Sequence, residues 1–482
     1  MLWTGLAFYL LVIFFLLLYF FLFFMQYIFS GVFFNYFFNY LSRYFLNVFL
    51  FISFLYLGLI YYLMDNSSFY SCFLGLIFFE DATLFFNLFK LDFYIFPYVY
   101  VFIFITMFSL LFCLSYNYVE LVNFLFYCFV IFIFGSLLFL TNSLILFFFF
   151  YEMLLIPSFF ILYKFAKTRR CIEASYLMFF WTQFGALFLI FSFFYLFFIC
   201  GVSTFSQLSL VSFTAFEVNF LFICWVVGFG VKFPIWPFYG WLPKAHVEAS
   251  TNFSIFLSGV LVKFAFFGFL KCLLLISSEP TFFFVFPFIF IGIFDSIFKL
   301  FFQIDLKKLI AFATVVEMHW LLICFISGQT VLWYAGFSML ISHALMSTNS
   351  FLIVDAINRR YKTRLITEFS GLNFLSPKLF LVALINCIIF LGFPGSIFFI
   401  SEFLFFTFCF DLLPILALYL FIFVYLLLPT FFIRTWMNAM FGMSSSIYSK
   451  LPQDLDSFEL MLFGFMFFVL FWLGFTWGSF IF

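Results

Sequence analysis

The sequence predicts an all-α polytopic membrane protein with about fourteen transmembrane helices. Three observations lead there. Hydrophobic residues make up 68% of the chain and charged residues 8%, too little polar surface for a water-soluble fold of this size. Apolar runs of about 20 residues, the length a helix needs to cross a bilayer, recur from one end to the other. These runs are unbroken, which excludes the alternating segments of about 10 residues that a transmembrane barrel requires.

Bounded by polar residues, glycine or proline, the runs fall in order at 5–28, 44–64, 93–115, 121–140, 143–164, 175–200, 218–237, 251–275, 281–300, 308–327, 331–355, 376–404, 411–436 and 460–482. Charge tests the order. Arg43, the cluster from Lys164 to Arg170, Lys244, Lys299, Lys307, Lys308, the cluster from Arg359 to Arg364, Lys378 and Lys450 follow odd-numbered spans. Only Lys90 and Lys271 are read as following even ones, where Asp65, Glu80, Asp81, Asp92, Glu217, Glu279 and Asp411 stand. The positive-inside rule then places the odd loops on the side of synthesis and both termini opposite.

Phenylalanine, present 105 times, has no advantage over leucine in crossing a bilayer and crowds helix interfaces. Its abundance, with few residues of GC-rich codons, reads as the mutational bias of an organelle genome. The N-terminal run carries no Arg-rich presequence or small-residue cleavage site, so synthesis inside a mitochondrion is expected. The cysteines are scattered singly with no metal spacing, and no phosphate loop, haem-ligand pair or nucleotide fingerprint appears. Neither a metal nor a cofactor is expected on this chain, and nothing points to nucleic acid.

Glu152, Lys232, Lys263, Glu317 and Glu402 remain inside predicted spans, with Arg434 at the end of span 13. A charge at mid-bilayer costs about 3 kcal/mol on insertion scales, so each needs a partner, water or a task. Two spans are also interrupted. Span 7 carries Gly228, Gly230, Pro234 and Pro237 around Lys232; span 12 carries Gly392, Pro394 and Gly395 ahead of Glu402. Interrupted backbone is tolerated at that depth only where it is buried or lines water, and paired interruptions point to a transport site.

Separations of 80 and 31 residues divide Glu152, Lys232 and Lys263, while 85 and 32 divide Glu317, Glu402 and Arg434. Spans 4–8 and 9–13 therefore read as two repeats, the second inverted because each has an odd number of helices. The division follows: 1–115 for spans 1–3, 116–275 for the first repeat, 281–440 for the second, and 441–482 for a loop and span 14.

The stretches "VKFPIWPFYGWLPKAHVEA", "SGVLVKFAFFGFLK", "DLKKLIAFATV", "ISHALMSTNSFLIVDAINRRYKTR" and "LGFPGSIFFISEF" resemble the antiporter-like proton-translocating subunits of respiratory complex I, the mitochondrial NADH:ubiquinone oxidoreductase. "WLPKAH" is closest to the subunit 4 type. The resemblance covers about residues 90–440, in order. It implies fourteen helices, inverted repeats and broken helices 7 and 12. It also implies proton translocation through Glu152, Lys232, Lys263, His343 and Glu402, with His246 as the histidine after span 7. It further implies a subunit of an H+-translocating enzyme whose flavin and iron–sulfur clusters sit on other subunits. Partners implied are subunit 5 and subunit 2 types, accessory subunits and lipids such as cardiolipin, in the mitochondrial inner membrane. A subunit of a multicomponent sodium/proton antiporter and a proton-inert scaffold are the rival readings.

The chain departs from the family pattern at three places. Val316, Glu317 and Met318 stand where serine, histidine and methionine are usual, with His319 one step beyond, so either Glu317 or His319 replaces that histidine. Tyr239 stands where histidine is common, and Ser250 where proline is usual. Plainer roles stay open: a static Glu152–Lys232 pair, Glu402 capping a half-helix, His343 as a packing residue, His246, Lys244 and Glu248 as a solvated loop, and Arg434 as an interfacial anchor.

Overall fold

The computed structural model describes residues 96–111, 118–165, 168–276, 284–412, 414–442 and 454–481. Predicted spans 5–28 and 44–64 lie outside the described residues, as do the predicted loop charges Arg43, Asp65, Glu80, Asp81, Lys90, Asp92, Lys167, Glu279 and Lys450.

Among the described residues the chain is helical, with no β-strand. In order come α1 (Phe96–Leu111), α2 (Tyr118–Leu140), α3 (Leu144–Lys164), α4 (Arg169–Cys200), α5 (Ala215–Gly230), α6 (Trp241–Glu248) and α7 (Thr251–Leu273). There follow α8 (Phe286–Phe301), α9 (Leu306–Ile326), α10 (Thr330–Tyr361), α11 (Pro377–Phe390), α12 (Ile397–Leu412), α13 (Ala417–Phe441) and α14 (Ser457–Ile481). Eight of these contain segments long and apolar enough to cross a membrane: α2, α3, α4, α7, α9, α10, α13 and α14.

Polar side chains at the ends set where helices start. Ser143, Thr168, Ser250 and Asp305 each accept a backbone N–H in the first turn of α3, α4, α7 and α9, supplying donors' partners that a helix start otherwise lacks. Thr214 and Glu217 close a reciprocal capping box on α5. Ser250 thus serves as the N-cap of α7. Gly201 ends α4 in the left-handed region at φ 63°.

Helices α9 and α10 form the centre, with their most apolar windows wholly buried, whereas α4 turns a face of phenylalanines outward. Helix α10 packs against α12, α9 against α8 and α10, and α4 against α3, α5 and α6. A central helix with no outward face must satisfy its polar groups internally, which applies to Glu317 and His319 on α9 and to His343 on α10.

Two charges assigned to loops from the sequence are misplaced. Lys271 is buried within α7, donating to the Thr141 carbonyl, with its ammonium 4.9 Å from the Phe205 ring centroid. Lys307 is buried in the first turn of α9 and donates to the Ala249 carbonyl at 2.6 Å. Both sit near the ends of apolar runs, where sequence cannot say whether a lysine stem reaches out or folds back.

Candidate functional site

The first interruption follows from residues that cannot continue a helix. Helix α5 stops at Gly230, and Pro234 and Pro237 lack the N–H that an α-helical turn needs. The chain passes through tight turns and a cis Trp236–Pro237 bond before α6 resumes at Trp241. The Ile235 N–H reaches the Gly230 carbonyl at 2.9 Å, and the Trp241 indole N–H reaches the Val231 carbonyl at 2.9 Å. Helices α4 and α5 approach so closely that a Cβ on Gly185 would lie 2.6 Å from the Gly228 carbonyl oxygen.

Lys232 projects from this interruption to Glu152, with Nζ 3.0 Å from Oε1. Both side chains are largely covered, at 13% and 18% exposure, so the charges need one another. Gln183 of α4 donates to the other Glu152 oxygen at 3.0 Å, and the Tyr151 ring faces the ammonium with its centroid 3.5 Å away. Glu152 itself stands at a bend: α3 is broken at Leu154, four residues after Phe150, because Pro157 offers no N–H to the Met153 carbonyl. Beside Lys232 lies a cavity of about 40 Å³, lined by Tyr151, Ser158, Thr182, Leu261, Val262 and Phe264 among others. It is large enough for a water and extends toward the helix that carries Lys263.

The central row is buried more deeply. Within α7 the backbone runs as a π-helix over Leu257–Leu261, and the Ser258 carbonyl accepts a hydrogen bond from Lys263 Nζ. Such bulges re-aim side chains and expose carbonyls that a regular helix would occupy. Lys263 Nζ also lies 2.6 Å from His343 Nδ1 on α10, and His343 Nε2 lies 3.6 Å from Glu317 Oε2 on α9. Three helices thus bring a base, an imidazole and an acid into line at 1–5% exposure. With Lys263 as the donor, Nδ1 acts as acceptor, and Nε2 then carries the hydrogen on the side that faces Glu317.

The second interruption, residues 391–396, separates α11 from α12, with Gly392 at φ 75° and Gly395 at φ 92°. Such backbone favours glycine. Glu402 lies on α12, its Oε2 close against Gly392 and without a hydrogen-bond partner among the described residues. Among the described residues no side chain hydrogen-bonds to both Glu402 and His343.

The remaining candidates separate clearly. His319 Nδ1 lies 2.7 Å from the Val315 carbonyl, and its Nε2 accepts the Trp236 N–H at 3.1 Å. Glu317, not His319, faces His343. His246, expected in a loop, is fully buried on α6 and stacked on Phe351 with ring centroids 5.0 Å apart. Neither of its ring nitrogens has a hydrogen-bond partner among the described residues. Lys244 is exposed, as is Arg434, whose guanidinium lies 5.0 Å from the Phe301 ring centroid. Sequence reasoning missed Gln183, Tyr151, Pro157 and, on α8, Asp295, which accepts a hydrogen bond from the Tyr239 hydroxyl. Gln183 and Asp295 were visible as polar residues inside apolar helices, and Pro157 as a break one turn beyond Glu152.

Residues 141–428 match the family described as NADH:quinone oxidoreductase/Mrp antiporter, transmembrane region. The chain is 34% identical over 321 residues to NADH-ubiquinone oxidoreductase chain 4 of Paramecium tetraurelia, covering 67% of this chain and 68% of that one. It is 33% identical over 270 residues to the chain 4 of Marchantia polymorpha, spanning 54% of that protein's length. Its fold is similar to a chain in respiratory complex I from Thermus thermophilus, with TM-score 0.71, 21% identity and coverage of 80% of this chain and 81% of that. A chain of the Mrp complex from Dietzia sp. superposes at TM-score 0.72, with 16% identity and 82% coverage of each. With more than half its length matched and an interrupted, charge-bearing helical core of this kind, the chain belongs to the NADH:quinone oxidoreductase/Mrp antiporter family of membrane subunits.

Proposed function

We propose that the chain is a proton-translocating membrane-arm subunit of respiratory complex I, of the subunit 4 type, in the mitochondrial inner membrane and encoded in the organelle. The observation that carries this reading is the buried row Lys263–His343–Glu317, spanning three helices beside the Glu152–Lys232 pair. An imidazole between an ammonium and a carboxylate accepts a proton at one nitrogen and releases one at the other. Opening the Glu152–Lys232 pair leaves the lysine without its countercharge in a poorly solvated site, which favours giving up a proton. The cavity beside Lys232 supports a water bridge from there toward Lys263.

Glu317 takes the place of the histidine usual in this family, and the relay then passes toward Glu402 on α12. The two interruptions and the matched spacing of charges support a fourteen-helix chain with two inverted five-helix repeats. Moving one charge against 100 mV costs about 2.3 kcal/mol, so the drive comes from NADH oxidation and quinone reduction on other subunits. Subunit 5 and subunit 2 types, accessory subunits and cardiolipin are the partners this reading entails.

The test is vesicle acidification by the reconstituted complex. Lys263→Met is expected to reduce proton translocation at least about tenfold, as loss of an obligate transfer group does. Full pumping by that variant overturns the assignment. Pumping that depends on sodium favours the antiporter reading, for which the likeness to the Mrp complex speaks.

A further inference from the structure

We propose that His319 and Tyr239 latch the interrupted segment carrying Lys232 onto α8 and α9, so that Lys232 and Glu317 shift position together. This rests on the proton-translocation reading above and adds two positioning residues to it.

Both nitrogens of His319 are committed. A carbonyl only accepts, so Nδ1, 2.7 Å from the Val315 oxygen, carries the hydrogen; an amide N–H only donates, so Nε2 offers its lone pair to Trp236 at 3.1 Å. The ring is buried and lies so close to α8 that a side chain at Gly292 would overlap it. Taking up a further proton would cost the Trp236 N–H its partner in a dry site. His319 is therefore a clamp on the backbone of the interruption, four residues beyond Lys232.

A second contact holds the same segment three residues further on. The Tyr239 hydroxyl donates to Asp295 on α8, while Lys299 Nζ donates to the Tyr239 oxygen at 2.7 Å and to Asp295 Oδ2 at 2.7 Å. The Tyr239 and His319 rings meet edge to face at 6.4 Å between centroids. Trp236 and Tyr239 thus tie the short irregular segment to two helices of the other half of the chain.

Helix α9 carries both ends of the connection. His319 takes the interrupted backbone on one side; two residues earlier, Glu317 faces His343 and, through it, Lys263. A helical turn is stiff, so a movement of Trp236 that leaves its bond to His319 intact moves Glu317 against His343. An irregular segment between two rigid helices is the element able to take two positions, and its opening is then felt at the central row.

The experiment measures protons translocated per quinone reduced by the full complex in sealed vesicles. His319→Leu, which removes the acceptor for Trp236, is expected to lower that ratio about threefold or more while quinone reduction continues. His319→Gln, whose amide both accepts and donates, is expected to recover most of the ratio. A glutamine variant as defective as leucine overturns the latch, because it makes the imidazole itself the requirement. Should His319→Leu fail to assemble, Tyr239→Phe decides: a ratio lowered about twofold supports the proposal, and an unchanged ratio overturns it. Lys263→Met separates the two readings. If it stops pumping while His319→Leu keeps the full ratio, the latch alone falls; if it pumps fully, the proton-translocation reading falls.

Discussion

The interruption after α5 and the one after α11 are built from the same kinds of residue and solve opposite problems. Around Lys232 the first gathers Glu152, Gln183, the Tyr151 ring and two ties to α8 and α9. The second relies on Gly392 and Gly395 in the left-handed region, and the acid beyond it, Glu402, has an oxygen with no hydrogen-bond partner among the described residues. A paired charge is tolerable while the pair is intact and costly once half of it is gone, whereas an unpaired buried carboxyl is costly as an anion unless water or a proton compensates it. Lys232 is fixed in place by its partners, whereas Glu402 presents a carboxylate oxygen that has none among the described residues.

The largest expected effect breaks the comparison directly. Glu152→Ala strands Lys232 in a mostly covered site and is expected to cost about 3–5 kcal/mol, read as a lowered melting temperature of the detergent-solubilised complex. Replacing Glu402 with glutamine keeps the shape and removes no hydrogen bond to the unpartnered oxygen, so about 1 kcal/mol or less is expected there. Equal losses from the two substitutions would show that Glu402 has a partner as binding as that of Glu152. A double variant, Glu152→Gln with Lys232→Gln, is expected to recover about 0.5–3 kcal/mol relative to the sum of its single substitutions, the size of coupling seen between contacting residues.

Backbone comes next in size. Alanine at Gly392 or Gly395 must adopt φ of 75° or 92°, at about 1–3 kcal/mol each. At Gly392 the new methyl group would also lie 2.8 Å from Glu402 Oε2. In the first interruption Gly230 has no such φ, and the nearest atom to a Cβ there is the end of the flexible Ile235 side chain at 3.0 Å, so Gly230→Ala is expected to cost about 1 kcal/mol or less. Melting temperatures of the three variants sharpen the contrast between a break held by contacts and one held by conformation.

Much of this was legible in the sequence because an ion in an apolar run is expensive and therefore conspicuous. Glu152, Lys232, Lys263, Glu317 and Glu402 stood out on that ground, and the glycines and prolines marked where helices end. Which partner each ion takes was not legible. Glu152 and Lys232 are 80 residues apart, as are Lys263 and His343, and pairing at that range is decided by how α3, α5, α7 and α10 pack. Lys271 and Lys307 were misassigned because a lysine near a helix end can turn its ammonium to solvent or to a backbone carbonyl, and only packing chooses. His319 was visible as a residue but not as a clamp, since its role depends on Trp236 reaching α9 from another part of the chain. The π-helical segment of α7 had no sequence signal strong enough to name.

The smallest expected effect tests how far the likeness of the two halves extends. By spacing, Arg434 is the counterpart of Lys263; by position it is not, because Lys263 is buried in the central row and Arg434 lies exposed over the Phe301 ring. An exposed cation over an aromatic face contributes about 0.5–1 kcal/mol, so Arg434→Gln is expected to shift the melting temperature slightly and leave vesicle acidification unchanged. Loss of pumping in that variant would make the third position of each half equivalent again and restore the symmetry of the charge pattern. If pumping persists, the halves share their interruptions and acids but differ in where the last cation goes. Lys263, His343 and Glu317 then form one buried row across α7, α9 and α10, with no equivalent row built around Arg434 among the described residues.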